Sequence, residues 1–348
     1  MNGDDVRILI AAMGGRSSMR DVTRMAASTN RPRTEGTDHS VAAAQLYGEL
    51  RPRAFAIAYQ MLGSVGEAED VVQEAFLRLH QTRRRGETIA SPRAYVSTLV
   101  TRLAIDQLRS ARARRERYVG EWLPEPLADE PSPSEHAETA DTLSLAVLVL
   151  LESLSPQQRA AFLLREVFQY PYPEVAEIID TDVDTTRHLV ARARKHLRQR
   201  RPRYHATRAQ HEQLARRFFA AVEHGDLSTL EELLAQDAAM HGDGGGKVPA
   251  LGRPVNGRER VARVLAAAAP MLARAGGVRL HLTKVNGQPG ALVFDTRGLL
   301  VGVMALIIAD GEVQTVHSIV NPDKLQHFDR VGDLGALVRS ARRSGDEG

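Results

Sequence analysis

The chain has 348 residues, a length that fits two or three domains. Its 43% apolar content is that of an ordinary folded protein, and the absence of cysteine excludes disulfides, thiolate metal sites and cysteine nucleophiles. Net charge is only +3, but it is unevenly placed. Residues 83–118 hold ten arginines against three acids, residues 187–203 hold seven arginines and one lysine with no acid, and acids gather at 67–74 and 121–141. A solvated face accounts for either basic run alone; the two together point to a polyanion touched in two places. No apolar run approaches the roughly 18 residues of a spanning helix, and no basic region precedes an apolar stretch at the N-terminus. The expectation is a cytoplasmic protein without a membrane segment. No metal-ligand spacing or cofactor motif is present.

In chain order, residues 1–38 read as a poorly ordered extension of mixed composition. Residues 39–117 are helical in pattern. Ser64 and Glu67 fit a capping box, and Val72, Ala75, Phe76 and Leu79 form an apolar stripe. Asp70, Gln73, Glu74 and Leu77 fall on a different face, at i, i+3, i+4 and i+7. Two carboxylates and an amide around one leucine suit docking on a basic helix. The acids equally suit a helix N-terminus, and the pattern alone leaves both readings open. Ser91 and Pro92 start another helix. Along it Tyr95, Leu99, Leu103 and Leu108 can face a core, and Arg93, Arg102, Arg109, Arg112 and Arg114 can face phosphates.

Residues 118–142 are a proline- and acid-rich linker containing the chain's only tryptophan, in the run Trp122, Leu123, Pro124, Glu125, Pro126. An exposed tryptophan in an acidic linker is costly, so Trp122 is expected to dock. Residues 143–204 are helical again. Ser155 and Gln158 fit a second capping box, the chain breaks at Gln169–Pro171, and Pro173 opens a short helix burying Val175, Ala176, Ile178 and Ile179. After a turn at Asp180–Val183, Asp184 is expected to cap a last helix from Thr185 to about Arg201, with Leu189, Ala193 and Leu197 inward. This is a helix-turn-helix pattern, whose second helix enters the major groove by its N-terminal part. Thr185, Thr186, Arg187, His188 and Arg192 are therefore the groove candidates.

Residues 207–330 change character. His211–His224 and a segment from Asn256 to Leu272 read as helices. Val278–Val285, Ala291–Asp295, Leu299–Ala309 and Glu312–Val320 read as strands joined by turns at Asn286-Gly287, Arg297-Gly298 and Asp310-Gly311. That order suggests an α+β domain. Asp243, Gly244, Gly245, Gly246 and Lys247 form either a simple tight turn or a loop that receives the linker. Asp237, His241, Asp243 and His317 are the candidates for acid–base chemistry, which would require their convergence in a pocket. Residues 331–348 read as a tail.

The run Glu67–Arg78 resembles region 2.2 of extracytoplasmic-function (ECF) RNA polymerase sigma factors, and Arg102–Arg109 resembles regions 2.3 and 2.4. The second helix-turn-helix element, with its Ala191–Leu197 ending, resembles region 4.2. The resemblance implies that Asp70, Gln73, Glu74 and Leu77 bind the β′ clamp coiled coil of core polymerase. It implies that the loop Gln81–Ala90 and the following arginines engage the −10 element, and that region 4 reads the −35 element beside the β flap. Trp122–Pro126, Asp243–Lys247 and Asn321–Leu325 together resemble a subgroup with a C-terminal SnoaL-like extension of the NTF2-like cone fold. In that subgroup Trp122, Leu123, Pro124, Glu125, Pro126, Asp243–Lys247, Asn321, Pro322 and Asp323 would make an interdomain regulatory contact. The implied fold is two all-α sigma domains followed by an α+β cone domain. The implied function is promoter-directed initiation regulated in cis, without catalysis, and a small-molecule ligand in the cone is a further expectation. The alternative is a helix-turn-helix regulator with a ligand-sensing or enzymatic SnoaL-like domain.

Overall fold

The computed structural model describes residues 34–115, 118–128, 144–198, 208–248, 250–274 and 276–339, with side chains from residue 44 onward except at 111–115, 198 and 208. Three helices come first: α1 Thr34–Leu62, α2 Val65–Arg84 and α3 Pro92–Arg115. Helix α1 begins within the segment expected to be an extension; residues 1–33 lie outside the described residues. Gly63, at φ +67°, ends α1 by donating to Tyr59 O at 2.7 Å, and Ser64 caps α2 by accepting from Glu67 N at 3.2 Å. Val96, Val100, Ala104, Ile105 and Leu108 form the buried stripe of α3, so Tyr95, Leu99 and Leu103 sit at its half-buried margin.

Four helices follow the linker: α4 Leu145–Leu151, α5 Pro156–Phe162, α6 Tyr172–Ile178 and α7 Val183–Arg198. The Ser155–Gln158 capping box is present. Helix α5 runs on as one π-helical turn, Leu163–Val167, before Gln169 at φ +59° breaks it. The cap of α7 is Asp182 rather than Asp184: its carboxylate accepts from Thr185 N at 2.7 Å. Ala193 and Leu197 face inward as expected, joined by Val190 and by Thr186, which lies two turns before Ala193 on the same face, while Leu189 is half-buried. One hydrophobic core takes residues from α1–α3 and from α5–α7 alike, Val72 and Val100 with Val175 and Val190. The two helical units are thus packed together, not merely tethered.

The remainder comprises α8 Arg208–His224, α9 Leu227–Leu233, α10 Arg258–Arg274 and a six-stranded sheet. The strands are β1 Leu234–Asp243, β2 Val255–Asn256, β3 Val278–Val285, β4 Gln288–Asp295, β5 Leu300–Ala309 and β6 Glu312–Ile319, in the order β2-β1-β6-β5-β4-β3. All neighbours are antiparallel except β1 and β6, which makes the sheet mixed. Strands β1 and β2 are additions to the four strands expected from sequence. Met240, Ala291, Met304, Leu306 and Val316 face α8–α10, where Phe218, Phe219, Val261 and Leu265 cover them. On the other face Val285, Leu292, Val303 and Ile319 pack with Leu123 of the linker and Leu145 of α4. The centre of the sheet is therefore buried on both faces, as the unbroken burial of β5 shows.

Candidate functional site

Helix α2 presents the predicted docking face to solvent. Asp70, Gln73 and Leu77 are exposed and Glu74 is half-buried. Leu77 is one of four exposed large apolar side chains among the described residues, at 40%. Glu74 holds Arg78 at 2.7 Å, a partly exposed pair of little energetic weight. The structure thus brings these four residues together as one acidic-rimmed apolar patch.

The two basic elements behave differently. On α3, Arg93 and Arg109 are exposed, and Arg112 and Arg114 have side chains outside the described residues. Arg102 is engaged: its Nε donates to Ile178 O at 3.0 Å and its Nη2 to Glu177 O at 2.9 Å. Those carbonyls end α6, so an arginine read as a phosphate contact holds the two helical units together. On α7, Thr185, Arg187, His188 and Arg192 are exposed. Thr186 is fully buried and bonded to Asp182 O at 2.9 Å and Thr181 Oγ1 at 2.8 Å, which removes it from the groove-facing set. Further arginines and a tyrosine clamp the helical units. Arg53 donates to Phe168 O at 3.2 Å and lies over the Tyr170 ring, Tyr170 donates to Ser97 at 2.8 Å, and buried Arg159 joins Gln60 O at 3.0 Å to Glu152 at 2.6 Å.

The three motifs of the linker and C-terminal domain meet at one point. Asp243, at the end of β1, is fully buried. Its Oδ2 accepts from Leu123 N at 2.8 Å and from Lys324 Nζ at 2.6 Å; its Oδ1 accepts from Tyr118 at 2.5 Å and Gly245 N at 3.1 Å. Lys324, 5% exposed, also donates to Leu123 O and lies 3.9 Å from the centre of the Trp122 ring. Trp122 docks as expected, over an ammonium. Burial and the adjoining Asp243 carboxylate push the Tyr118 phenol well above its usual range, so it remains a donor. Asn321 donates to Tyr118 at 2.7 Å and caps the 3-10 turn Pro322–Leu325 by accepting from Asp323 N at 3.1 Å. Gly245, at φ +60°, lies directly beneath Asn321: an added Cβ would come within 2.4 Å of its amide nitrogen. Gly246 lies under Val119, and Lys247 pairs with Asp323 at 2.6 Å. Pro126 O accepts from His327 at 2.7 Å, and Leu127 exchanges bonds with Asn286 at 2.9 and 2.7 Å.

Comparison with known proteins decides what carries these surfaces. Residues 46–114 match the Sigma-70 region 2 family, 144–197 match Sigma-70, region 4, and 215–323 match the SnoaL-like domain. The ECF RNA polymerase sigma factor SigJ of Mycobacterium tuberculosis is 36% identical over 79% of this chain and 90% of its own length. The chain belongs to the ECF RNA polymerase sigma factors. Its function is that of the family, promoter-specific transcription initiation. The probable ECF sigma factor SigI of the same species is 34% identical over 77% of the chain and 90% of its own length. The crystal structure of SigJ superposes with a TM-score of 0.66 at 34% identity, covering 81% of this chain and 98% of that one. The sigma factor thus has the expected fold, helical sigma domains followed by an α+β SnoaL-like domain.

Within this sigma factor the acid–base candidates do not converge on the helix-packed face of the cone. Met240 and Gly242 face the helices; His241 and Asp243, their neighbours on β1, face the linker. His241 meets Glu121 of the linker at 2.6 Å and stacks on His317, with ring centres 5.3 Å apart. Burial and then the proximity of His241 push His317 down to about 3, so it is neutral. Asp237 is exposed. Sequence reasoning missed Tyr118, Glu121, Lys324, Asn286 and His327. Lys324 lies inside the motif Asn321–Leu325 and is the residue whose charge Asp243 requires.

Proposed function

We propose that this sigma factor binds core polymerase through Asp70, Gln73, Glu74 and Leu77 on the β′ clamp coiled coil, with region 4 at the β flap. It contacts −10 DNA through Arg93, Arg102, Arg109, Arg112 and Arg114, and −35 DNA through Thr185, Arg187, His188 and Arg192. Its SnoaL-like domain acts in cis, without a catalytic step, by holding the linker and both sigma domains in one closed body. It works in the cytoplasm, where polymerase and promoters are. The functional units are residues 39–117, 118–142, 143–204 and 207–330. The observation that carries the reading is the buried Asp243–Lys324 pair closed around Leu123 of the linker. A buried ion pair joining segments this distant in sequence is a device for fixing an arrangement, since it adds little net stability.

The closed body also bears on promoter spacing. Elements at −10 and −35 are about 25 base pairs apart, roughly 85 Å at about 3.4 Å per pair. Two domains sharing one core, each with a radius of gyration near 13 Å, do not reach that far. Engagement of a whole promoter therefore separates α3 from α6 and frees Arg102. Alanine at both Asp70 and Glu74 tests the polymerase assignment. Binding to core polymerase should fall by at least tenfold while binding to −35 DNA is unchanged. Retained polymerase binding would favour an ordinary helix-turn-helix regulator.

A further inference from the structure

The linker does more than lie on the sheet. Glu125 turns back to the start of α2. Its Oε2 accepts from Val65 N at 2.6 Å and Gly66 N at 3.4 Å, and its Oε1 accepts from Ser64 Oγ at 2.8 Å. The first amides of a helix have no intrahelical acceptor, and a carboxylate there is favoured by both hydrogen bonding and the helix dipole. Ser64 gives its hydroxyl proton to Glu125 and receives Glu67 N on the same oxygen, so the two residues cap α2 jointly. The backbone of Glu125 is fixed as well: its N–H donates to Gly63 O at 2.8 Å and its carbonyl accepts from the Tyr59 hydroxyl at 2.6 Å.

Tyr59 is fully buried, and its oxygen accepts from Asn286 Nδ2 at 2.8 Å. Asn286 is itself buried at φ +50° in the β3–β4 turn of the SnoaL-like domain, and its side-chain Oδ1 accepts from Leu127 N. Burial raises the Tyr59 phenol, which keeps it a donor to Glu125 and an acceptor from Asn286. One run of bonds therefore leads from a hairpin turn of the C-terminal domain, through a side chain of α1, to the first turn of the helix that bears Asp70, Gln73, Glu74 and Leu77. The Lys324 lock described above is a separate attachment of the same linker.

We infer that Glu125 and Asn286 are positioning residues for polymerase binding: the SnoaL-like domain, through Asn286 and Tyr59, holds Glu125 on the N-terminus of α2 and so sets the docking helix in place. This rests on the proposed role of the α2 face. The SnoaL-like domain then bears on affinity for core polymerase directly, not only on the spacing of the DNA-contacting units. Both positions tolerate mild probes. Glu125→Gln keeps the shape and removes the charge, and Asn286→Gly removes the side chain while favouring the positive φ.

The experiment uses the full chain and reads two quantities: hydrogen exchange of the Val65 and Gly66 amides, and affinity for core polymerase. Glu125→Gln should speed exchange at those amides about tenfold and weaken polymerase binding several-fold. Asn286→Gly should move both in the same direction by less, and should add nothing in the Glu125→Gln background. His327→Gln, which frees Pro126 O elsewhere on the linker, should leave both amides unchanged. The inference is overturned if Asn286→Gly leaves Val65 and Gly66 exchange at the wild-type rate, if its effect adds fully to that of Glu125→Gln, or if His327→Gln moves the amides as much. Should alanine at Asp70 and Glu74 fail to weaken polymerase binding, the docking face itself is misassigned. The exchange arm would still decide whether Asn286 sets the start of α2.

Discussion

Replacing Asp243 by asparagine preserves the shape of the lock and removes its negative charge. Lys324, 5% exposed, then loses the carboxylate paired with it and keeps Leu123 O and the Trp122 and Tyr118 rings at 3.9 and 5.0 Å. Breaking a buried pair by removing one partner costs about 3–5 kcal/mol. A desolvated ring beneath the ammonium offsets about 1–2 kcal/mol of that, so the expected loss is about 2–3 kcal/mol. Lys324→Met should cost less, because the Asp243 carboxylate keeps its three other donors, Tyr118, Leu123 N and Gly245 N. The double variant removes both charges and should lose clearly less than the sum of the two, with a coupling of about 2 kcal/mol. Trp122 is the chain's only tryptophan and sits in the lock, so urea unfolding followed by its fluorescence reads this region directly. Losses that add to within about 0.5 kcal/mol, or an unmoved midpoint for Asp243→Asn, would refute the reasoning.

Further predictions concern the histidine pair, the helical clamp and the recognition helix. His317 binds a proton near its ordinary value of 6.5 when unfolded and only near 3 when folded. The unfolded state therefore holds more protons between those values, and stability falls as pH drops through that window. His317 should contribute about 2 kcal/mol of loss between pH 7.5 and 5, so the loss should be smaller by about that amount in His317→Gln. Arg102→Ala removes two bonds to the end of α6 and should loosen the contact between the helical units by about 1–2 kcal/mol, read as faster limited proteolysis between them. The same variant should bind −10 DNA more weakly. Thr186→Val should cost about 1 kcal/mol of stability with sequence preference unchanged, whereas Arg192→Ala should weaken −35 binding with the unfolding midpoint unchanged.

Much of this protein is legible in its sequence because local signals and tertiary roles agree. The caps Ser64 and Ser155, the apolar stripe of α2 and the helix-turn-helix spacing all act within a few residues, and the structure keeps them. Strand β1 escaped because its run is rich in alanine and its register shifts between Leu234 and Ala239, so no alternation appears. Arg53, Arg102 and Arg159 sit in a chain rich in arginine, and their partners include main-chain carbonyls 75–115 residues away. A carbonyl leaves no mark in a sequence, so such a clamp looks like a DNA-binding charge. Asn286 reads as a turn residue, and its backbone at φ +50° justifies that; its second task, bonding Tyr59, is set by a distant helix. Asp184 and Asp182 show how fine the margin is. Asp182 caps in place of Asp184, and Thr186, seven residues before Ala193, shares its buried face and so belongs to the core.

The most direct test of the account is run-off transcription with sigma-free core polymerase on a pool of promoter fragments. Full-length protein would be compared with a chain ending near Ala206. The account predicts specific transcripts from the full chain and a changed amount or promoter choice from the shortened one. Identical transcripts from both would contradict control by the SnoaL-like domain, and no transcript from either would contradict the assignment of this chain's polymerase- and promoter-binding residues.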